Sequence, residues 1–199
     1  MTIKTFNINS DKTAFVKAYL PDSIAGLPFC DKRPAMIIFP GGGYEFCSDR
    51  EGEPIAFQYL AMGYAAFVVT YACNEKFPEP LMNAAYIFYK IRMRAEEFGI
   101  DPQKMAVLGC SAGGHLAGCL ATMWSDVMLT KTIGCEPEDL RPNAAVLCYP
   151  VISGVTAPHE GSFRVLLGED ASRSDLSRLS LENLSLIHIS EPTRLLSIS

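Results

Sequence analysis

The chain has 199 residues, of which 49% are hydrophobic and 20% are charged, and its formal net charge is -5. This composition is sufficient for one domain with a substantial core, and the lack of a basic cluster argues against nucleic acid as a partner. No run approaches the length of a membrane span and no apolar segment typical of an export signal opens the chain, so we expect a cytoplasmic protein without a membrane contact.

Strands and helices are predicted to alternate along the chain. Strand, helix, strand in this order requires parallel pairing through right-handed crossovers, which places active sites at the carboxyl ends of the strands. The predicted elements are a strand over 13–20, a buried strand over 34–39, a helix from Glu53-Pro54 to Gly63, a strand over 64–71, a helix from Pro80 to Phe98 followed by a turn at Asp101-Pro102, a strand over 105–108, a helix over 116–123, a polar connection over 124–142 and a buried strand over 144–149.

The cysteines are odd in number and form no C-x-x-C pair. This favours reduced thiols packed as small apolar residues over a disulfide framework or a zinc site. We predict no metal site and no organic cofactor. The seven cysteines are Cys30, Cys47, Cys73, Cys110, Cys119, Cys135 and Cys148.

The segment Gly109-Cys-Ser-Ala-Gly113 is a G-x-S-x-G pattern between a predicted strand and a predicted helix. A sharp turn of this kind exposes the serine hydroxyl beside the first N–H groups of the helix, so Ser111 is the predicted nucleophile. Cys110, just before the serine, is predicted to pack into the core. A phosphate-binding loop is a poor match, because His115 and Leu116 stand where that motif needs Lys and Ser or Thr.

A second glycine-rich segment, Pro40-Gly-Gly-Gly-Tyr44, directly follows the first buried strand. Acyl transfer builds negative charge on a carbonyl oxygen, which backbone N–H groups in a loop without side chains can stabilise. Gly42 and Gly43, with the N–H of Ala112, are therefore candidate oxyanion-hole donors. A plain flexible turn is the alternative. A dinucleotide-binding loop fits poorly, because Phe46 occupies the position of its last glycine.

Together these motifs resemble the α/β-hydrolase superfamily, in particular the lipase/esterase branch with an HGGG-type loop and its acetyl-xylan-esterase-like or feruloyl-esterase-like members. Pro40 replaces the loop histidine of lipases, which points toward the carbohydrate esterases. The resemblance implies an α/β fold, a three-layer sandwich around a mostly parallel sheet. It covers 15–183 and includes, besides the two motifs, 48–56, 77–81, 98–102 and 148–153.

The serine needs a general base, and the family order of serine, acid and then histidine places that base late in the chain. His115 lies one helical turn beyond Ser111, where its Cβ points wrongly for a base, so we expect it to pack. His159 precedes any acid that fits the order and is not expected to be the base.

The last sixteen residues, 184–199, resemble the translation of a sequencing adapter, which excludes His188 from the site. On this interpretation 1–183 is an α/β-hydrolase domain that lacks its last strands and helices, together with its triad acid and histidine. Such a fragment is expected to be inactive and prone to aggregation.

For the intact enzyme the resemblance implies a serine carboxylic-ester hydrolase that releases acetyl or feruloyl groups from plant-polysaccharide oligosaccharides. Tyr44 either contacts the substrate or has a structural role. A serine peptidase of the same fold, similar to prolyl oligopeptidase, and a non-catalytic binding module of this fold are the alternatives. The sequence does not indicate the oligomeric state.

Overall fold

Six strands form one sheet in the order β1-β2-β4-β3-β5-β6 in the computed structural model, which describes residues 1–7, 14–23, 32–156 and 158–188, without the side chains of 185–188. The strands are β1 (Thr2–Asn7), β2 (Phe15–Leu20), β3 (Arg33–Phe39), β4 (Ala65–Thr70), β5 (Ile100–Cys110) and β6 (Ala144–Cys148). Strands β4, β3, β5 and β6 are parallel, whereas β1 and β2 are antiparallel additions beside β4.

The central strand β3 is apolar and buried over nearly its whole length. A strand covered on both faces has no solvent side, so it reads as a continuous hydrophobic run instead of an alternating one. This explains why the parallel strands were predicted from apolar runs.

Helices cover both faces of the sheet. Helix α1 packs over β4 and β3 on one face, and α2 and α4 pack on the other, so the predicted three-layer α/β sandwich is confirmed. The helices are α1 (Glu53–Ala61), α2 (Glu79–Met93), α3 (Ala95–Phe98), α4 (Ala112–Met123), α5 (Val127–Ile133), α6 (Pro137–Leu140), α7 (Glu160–Leu167), α8 (Arg173–Arg178) and α9 (Leu181–His188). None of the described helices is long and apolar enough to cross a membrane.

Two predicted elements around the end of α2 differ from the structure. The helix expected from Pro80 to Phe98 is divided at Arg94 into α2 and α3. The turn at Asp101-Pro102 lies inside β5, where the pairing with β3 skips from Ile100 to Met105. Local spacing does not reveal such a bulge, because it depends on the register of the neighbouring strand.

The connection over 124–142 was predicted as polar, without a helix assigned to it. It contains two short helices, α5 and α6, each of which buries one leucine, Leu129 and Leu140. Its second half is fixed by the guanidinium of Arg92, which donates hydrogen bonds to the carbonyl oxygens of Glu138, Asp139 and Arg141 at 2.7–2.9 Å. Strand β1 was not predicted, because most of its side chains are exposed and show no apolar pattern.

Candidate active site

Ser111 lies between the end of β5 and the start of α4, in a backbone conformation with φ 51° and ψ -120°. An L-residue with a side chain rarely adopts a positive φ, and such conformations concentrate at functional sites. The neighbouring chain holds this geometry: Ser111 N–H donates to Cys148 O at 3.0 Å and Ser111 O accepts from Val151 N–H at 3.1 Å. The strand-to-helix turn expected from the sequence is therefore present.

The glycines around the serine occupy positions with no room for a side chain. A Cβ at Gly109 would lie 2.0 Å from Gly113 O, and one at Gly113 would lie 2.1 Å from Phe39 O. These obstacles are backbone atoms, which cannot rotate away. The close approach of β5, α4 and the end of β3 therefore depends on glycine at both positions.

The glycine loop after β3 comes close to the nucleophile. A Cβ placed on Gly41 would lie 3.0 Å from Ser111 Cβ. The loop turns through positive φ angles at Gly42 (134°), Gly43 (67°) and Tyr44 (67°). Within the part of the chain that the structure describes, the N–H groups of Gly42, Gly43 and Ala112 have no protein acceptor. They are available as hydrogen-bond donors.

The carboxylate of Glu51 fixes the position of the glycine loop. Its Oε2 accepts from Gly41 N–H at 2.6 Å, and its Oε1 accepts from the Tyr149 hydroxyl at 2.7 Å. One carboxylate thus joins the glycine loop to the segment after β6 that also contacts Ser111. The sequence analysis missed Glu51 and Tyr149 as site residues. In the sequence, Glu51 lies in the segment 48–56 that carries part of the family resemblance. That segment does not indicate that Tyr149, 98 positions later, is the hydrogen-bond partner of Glu51.

Tyr44 is 1% exposed and lies beneath the glycine loop. Its hydroxyl donates to His115 Nδ1 at 2.6 Å, and His115 Nε2–H donates to Leu179 O at 2.7 Å. Tyr44 is thus buried and hydrogen-bonded within the protein, and a substrate contact by this residue stays a prediction. Burial lowers the pKa of His115 from 6.5 to about 4, so the ring is neutral and holds the loop, α4 and residue 179 together.

An open cleft of about 610 Å³ lies beside Ser111. Tyr149 forms part of its wall and is 66% exposed, with a positive φ of 36°. His159 also lines the cleft, although the sequence analysis did not assign it to the site. The lining residues are Ser111, Tyr149, Pro150, Val151, Ile152, Ser153, Thr156, His159 and Glu182.

His159 has only one nitrogen available to the cleft. Its Nδ1 lies 3.3 Å from Ser162 N and 2.9 Å from Ser162 Oγ, so this nitrogen is hydrogen-bonded to the start of α7. No hydrogen bond joins His159 to Ser111 among the described residues. In this geometry His159 is not in place as the general base of Ser111.

Ser111 Oγ has no hydrogen-bond partner among the described residues. Cys110 is 1% exposed and packs in a hydrophobic cluster with Met36, Ile38 and Ala56, where burial raises the pKa of its thiol. The neighbouring cysteine is therefore buried as expected. The side chain of His188 and all of 189–199 lie outside the described residues. Within the described part of the chain no three or more His, Cys, Asp or Glu side chains are grouped to hold a metal ion.

Residues 36–180 match the family described as alpha/beta hydrolase fold. The chain belongs to the α/β-hydrolase family. This α/β hydrolase is 35% identical over 172 residues to endo-1,4-beta-xylanase B of Butyrivibrio fibrisolvens, a match that covers 82% of the chain and 27% of the relative. It is 28% identical over 198 residues to an acetylxylan esterase of Xylanibacter ruminicola, covering 97% of the chain and 37% of the relative.

Among solved structures, the α/β hydrolase is similar to an acetyl ester-xyloside bifunctional hydrolase from Caldicellulosiruptor lactoaceticus, with a TM-score of 0.75 and 31% identity. That likeness covers 92% of this chain and 69% of the other. The chain spans between a quarter and two fifths of the length of these two curated relatives.

Proposed function

We propose that this α/β hydrolase is a serine carboxylic-ester hydrolase with Ser111 as its nucleophile. The observation that carries the proposal is the positive-φ conformation of Ser111 at the strand-helix junction, with the residue lining an open cleft. The strain of this conformation is offset by the hydrogen bonds to Cys148 and Val151. A serine without a catalytic role can begin a helix with a negative φ, so the positive φ of Ser111 favours a functional role.

The reaction proceeds through an acyl-enzyme. Ser111 Oγ attacks the ester carbonyl carbon, the alcohol leaves, and water then releases the acyl group. Negative charge on the carbonyl oxygen is held by the N–H groups of Gly42, Gly43 and Ala112, which have no competing acceptor among the described residues. Removing one donor from such a hole typically costs ~3–4 kcal/mol of transition-state stabilisation.

The proposed substrates are short acyl esters, acetyl or feruloyl, on oligosaccharides derived from plant polysaccharides. The cleft of about 610 Å³ has room for a small ester, and the exposed ring of Tyr149 offers an apolar surface to the alcohol part. The names of the acetylxylan esterase and the acetyl ester-xyloside hydrolase support this substrate class.

We expect slow turnover by this chain, because Ser111 Oγ has no hydrogen-bonded histidine among the described residues. His115 is buried and bonded at both nitrogens, and His159 Nδ1 is bonded to Ser162. Hydrolysis of p-nitrophenyl acetate measures this directly. Rapid turnover by the wild type that is lost in Ser111→Ala would contradict the statement about the base while supporting the nucleophile.

A fluorophosphonate probe, with and without imidazole, tests the nucleophile independently of turnover. The open cleft admits imidazole as an external base, so labelling of Ser111 should be slow and should increase with imidazole concentration. Ser111→Ala should abolish the labelling. Ser153→Ala, which changes another serine of the cleft, is the matched control and should leave labelling unchanged.

The same experiment separates the alternatives. A non-catalytic binding module would not react at Ser111 even with imidazole, and that result would overturn the proposal. A serine peptidase similar to prolyl oligopeptidase would also label, but it would cleave a prolyl p-nitroanilide under the same conditions. We expect this chain to leave the prolyl p-nitroanilide intact.

A further inference from the structure

Two cysteines lie together where the glycine loop meets the end of β4. The Sγ atoms of Cys47 and Cys73 are 3.7 Å apart, and both residues are half-buried. Cys47 follows the glycine loop and Cys73 follows β4, so the pair joins segments separated by 26 positions in sequence. This pair is not part of the reaction proposed above.

The backbone around the two thiols is already held together. Asn74 N–H donates to Tyr44 O at 2.7 Å, and Asn74 Nδ2 donates to Glu45 O at 2.8 Å. These bonds join the residue that follows Cys73 to the loop two and three residues before Cys47. A disulfide bond needs the sulfurs ~2.05 Å apart, which is within reach of small side-chain rotations when the segments are held in this way.

The two thiols are hydrogen-bonded to each other. Either sulfur can be the donor of this bond, and Cys73 Sγ also donates to Tyr71 O at 3.4 Å. The thiolate is the nucleophilic form of cysteine. The sulfur that loses its proton first is therefore the attacking sulfur, and its neighbour, which stays protonated, is the resolving thiol.

We propose that Cys47 and Cys73 form a modification site that a peroxide oxidises to an intramolecular disulfide, tethering the glycine loop to the end of β4. In the first step one of the two thiols releases its proton and its thiolate attacks one oxygen of hydrogen peroxide; an S–O bond forms, the O–O bond breaks, and the departing hydroxide takes up the released proton as water. In the second step the other thiol attacks the sulfenic sulfur, an S–S bond forms, the S–O bond breaks, and the departing hydroxide takes the proton of that thiol as water. Two electrons pass from the thiols to the peroxide, which ends as two molecules of water.

Four other cysteines are described, and two of them, Cys110 of β5 and Cys148 of β6, lie side by side and interact. A link between these two is followed by the same peptide mapping. Cys110 and Cys119 are buried, and burial raises the pKa of both thiols to about 12. Cys135 is half-buried, like the pair, but no other cysteine sulfur is recorded in contact with it in the described part of the chain. Cys135→Ser is therefore the matched control for loss of one accessible thiol. Cys30 lies outside the described residues and is followed by peptide mapping.

The test is to treat the purified full chain with a small excess of hydrogen peroxide, block the remaining thiols with N-ethylmaleimide and map the peptides by mass spectrometry. We expect a peptide linked through Cys47 and Cys73, loss of two reactive thiols and restoration of both by dithiothreitol. Cys135→Ser should form the same link. The melting temperature should rise by several degrees on oxidation, since the cross-link constrains the unfolded chain.

The single variants test whether both thiols are needed. In Cys47→Ser and in Cys73→Ser the oxidation should stop at a sulfenic acid on the remaining cysteine, which dimedone traps, and no linked peptide should form. Absence of the linked peptide in the wild type, or links from Cys47 to other cysteines in equal yield, would overturn the proposal. None of these measurements depends on ester hydrolysis, so their outcome is separate from that of the proposed function.

Discussion

His115 illustrates at the scale of one residue how burial changes an ionisable group. The ring is 1% exposed, and its two nitrogens are bonded to Tyr44 and to Leu179 O. The charged form would lose its hydration without gaining a carboxylate partner at hydrogen-bond distance, so burial holds the pKa at about 4 instead of 6.5. Unlike a catalytic histidine, this one is kept neutral to join three segments.

This pKa predicts a pH dependence of stability. Between pH 6.5 and pH 4 the unfolded chain takes up a proton at residue 115 that the folded state excludes. The free energy of unfolding should therefore fall as the pH decreases through this window, by up to about 3 kcal/mol from this residue. Urea titrations at several pH values measure it. The His115→Gln variant is less stable overall but should lack this part of the slope, and an unchanged slope would contradict the assignment.

At the scale of elements, the junction of β3, β5 and α4 was well predicted from the sequence. The glycines at 109 and 113 indicated close approach, and the structure shows backbone atoms where their side chains would be. The division of the long helix at Arg94 was not predicted, because neither Pro nor Gly marks it. There the Arg94 guanidinium lies over Phe6 of β1 and Phe98 of α3, a contact between segments far apart in sequence.

We expect Gly113→Ala to destabilise the fold by about 1–3 kcal/mol or more, because its Cβ would meet Phe39 O at 2.1 Å and Pro40 O at 2.4 Å. The added atom would force the start of α4 away from β3. The matched control is Gly161→Ala in α7, where the nearest atom is 3.6 Å away and alanine favours the helix. Urea denaturation should show a large loss for the first variant and no loss for the second. Equal stabilities would refute the close-packing argument.

For the whole molecule, the sheet ends on one side at β6, which pairs only with β5 among the described strands. Strand β6 is half-buried, with Ala144 exposed. An unpaired strand edge offers free N–H and C=O groups to a second chain. Self-association through this edge is the expected consequence.

A lysine at this edge should reduce that association. The charge of Ala144→Lys would oppose edge-to-edge pairing, while its exposed position leaves the core unchanged. Gln58→Lys on the exposed side of α1 adds the same charge away from the edge and serves as the control. Sedimentation velocity across a range of concentrations should show less association for the first variant than for the wild type or the control. Equal association of all three would place the contact elsewhere.

The sequence by itself determined the fold class, the parallel central strands and the position of Ser111, because apolar runs and glycine spacing are local signals of burial and close approach. Only the tertiary structure decided that Tyr44 is buried on His115, that Glu51 joins the glycine loop to Tyr149, and that His159 lies in the cleft with Nδ1 occupied. These contacts connect side chains from different strand ends. Their partners are chosen by sheet order and register, which no local pattern in the chain records.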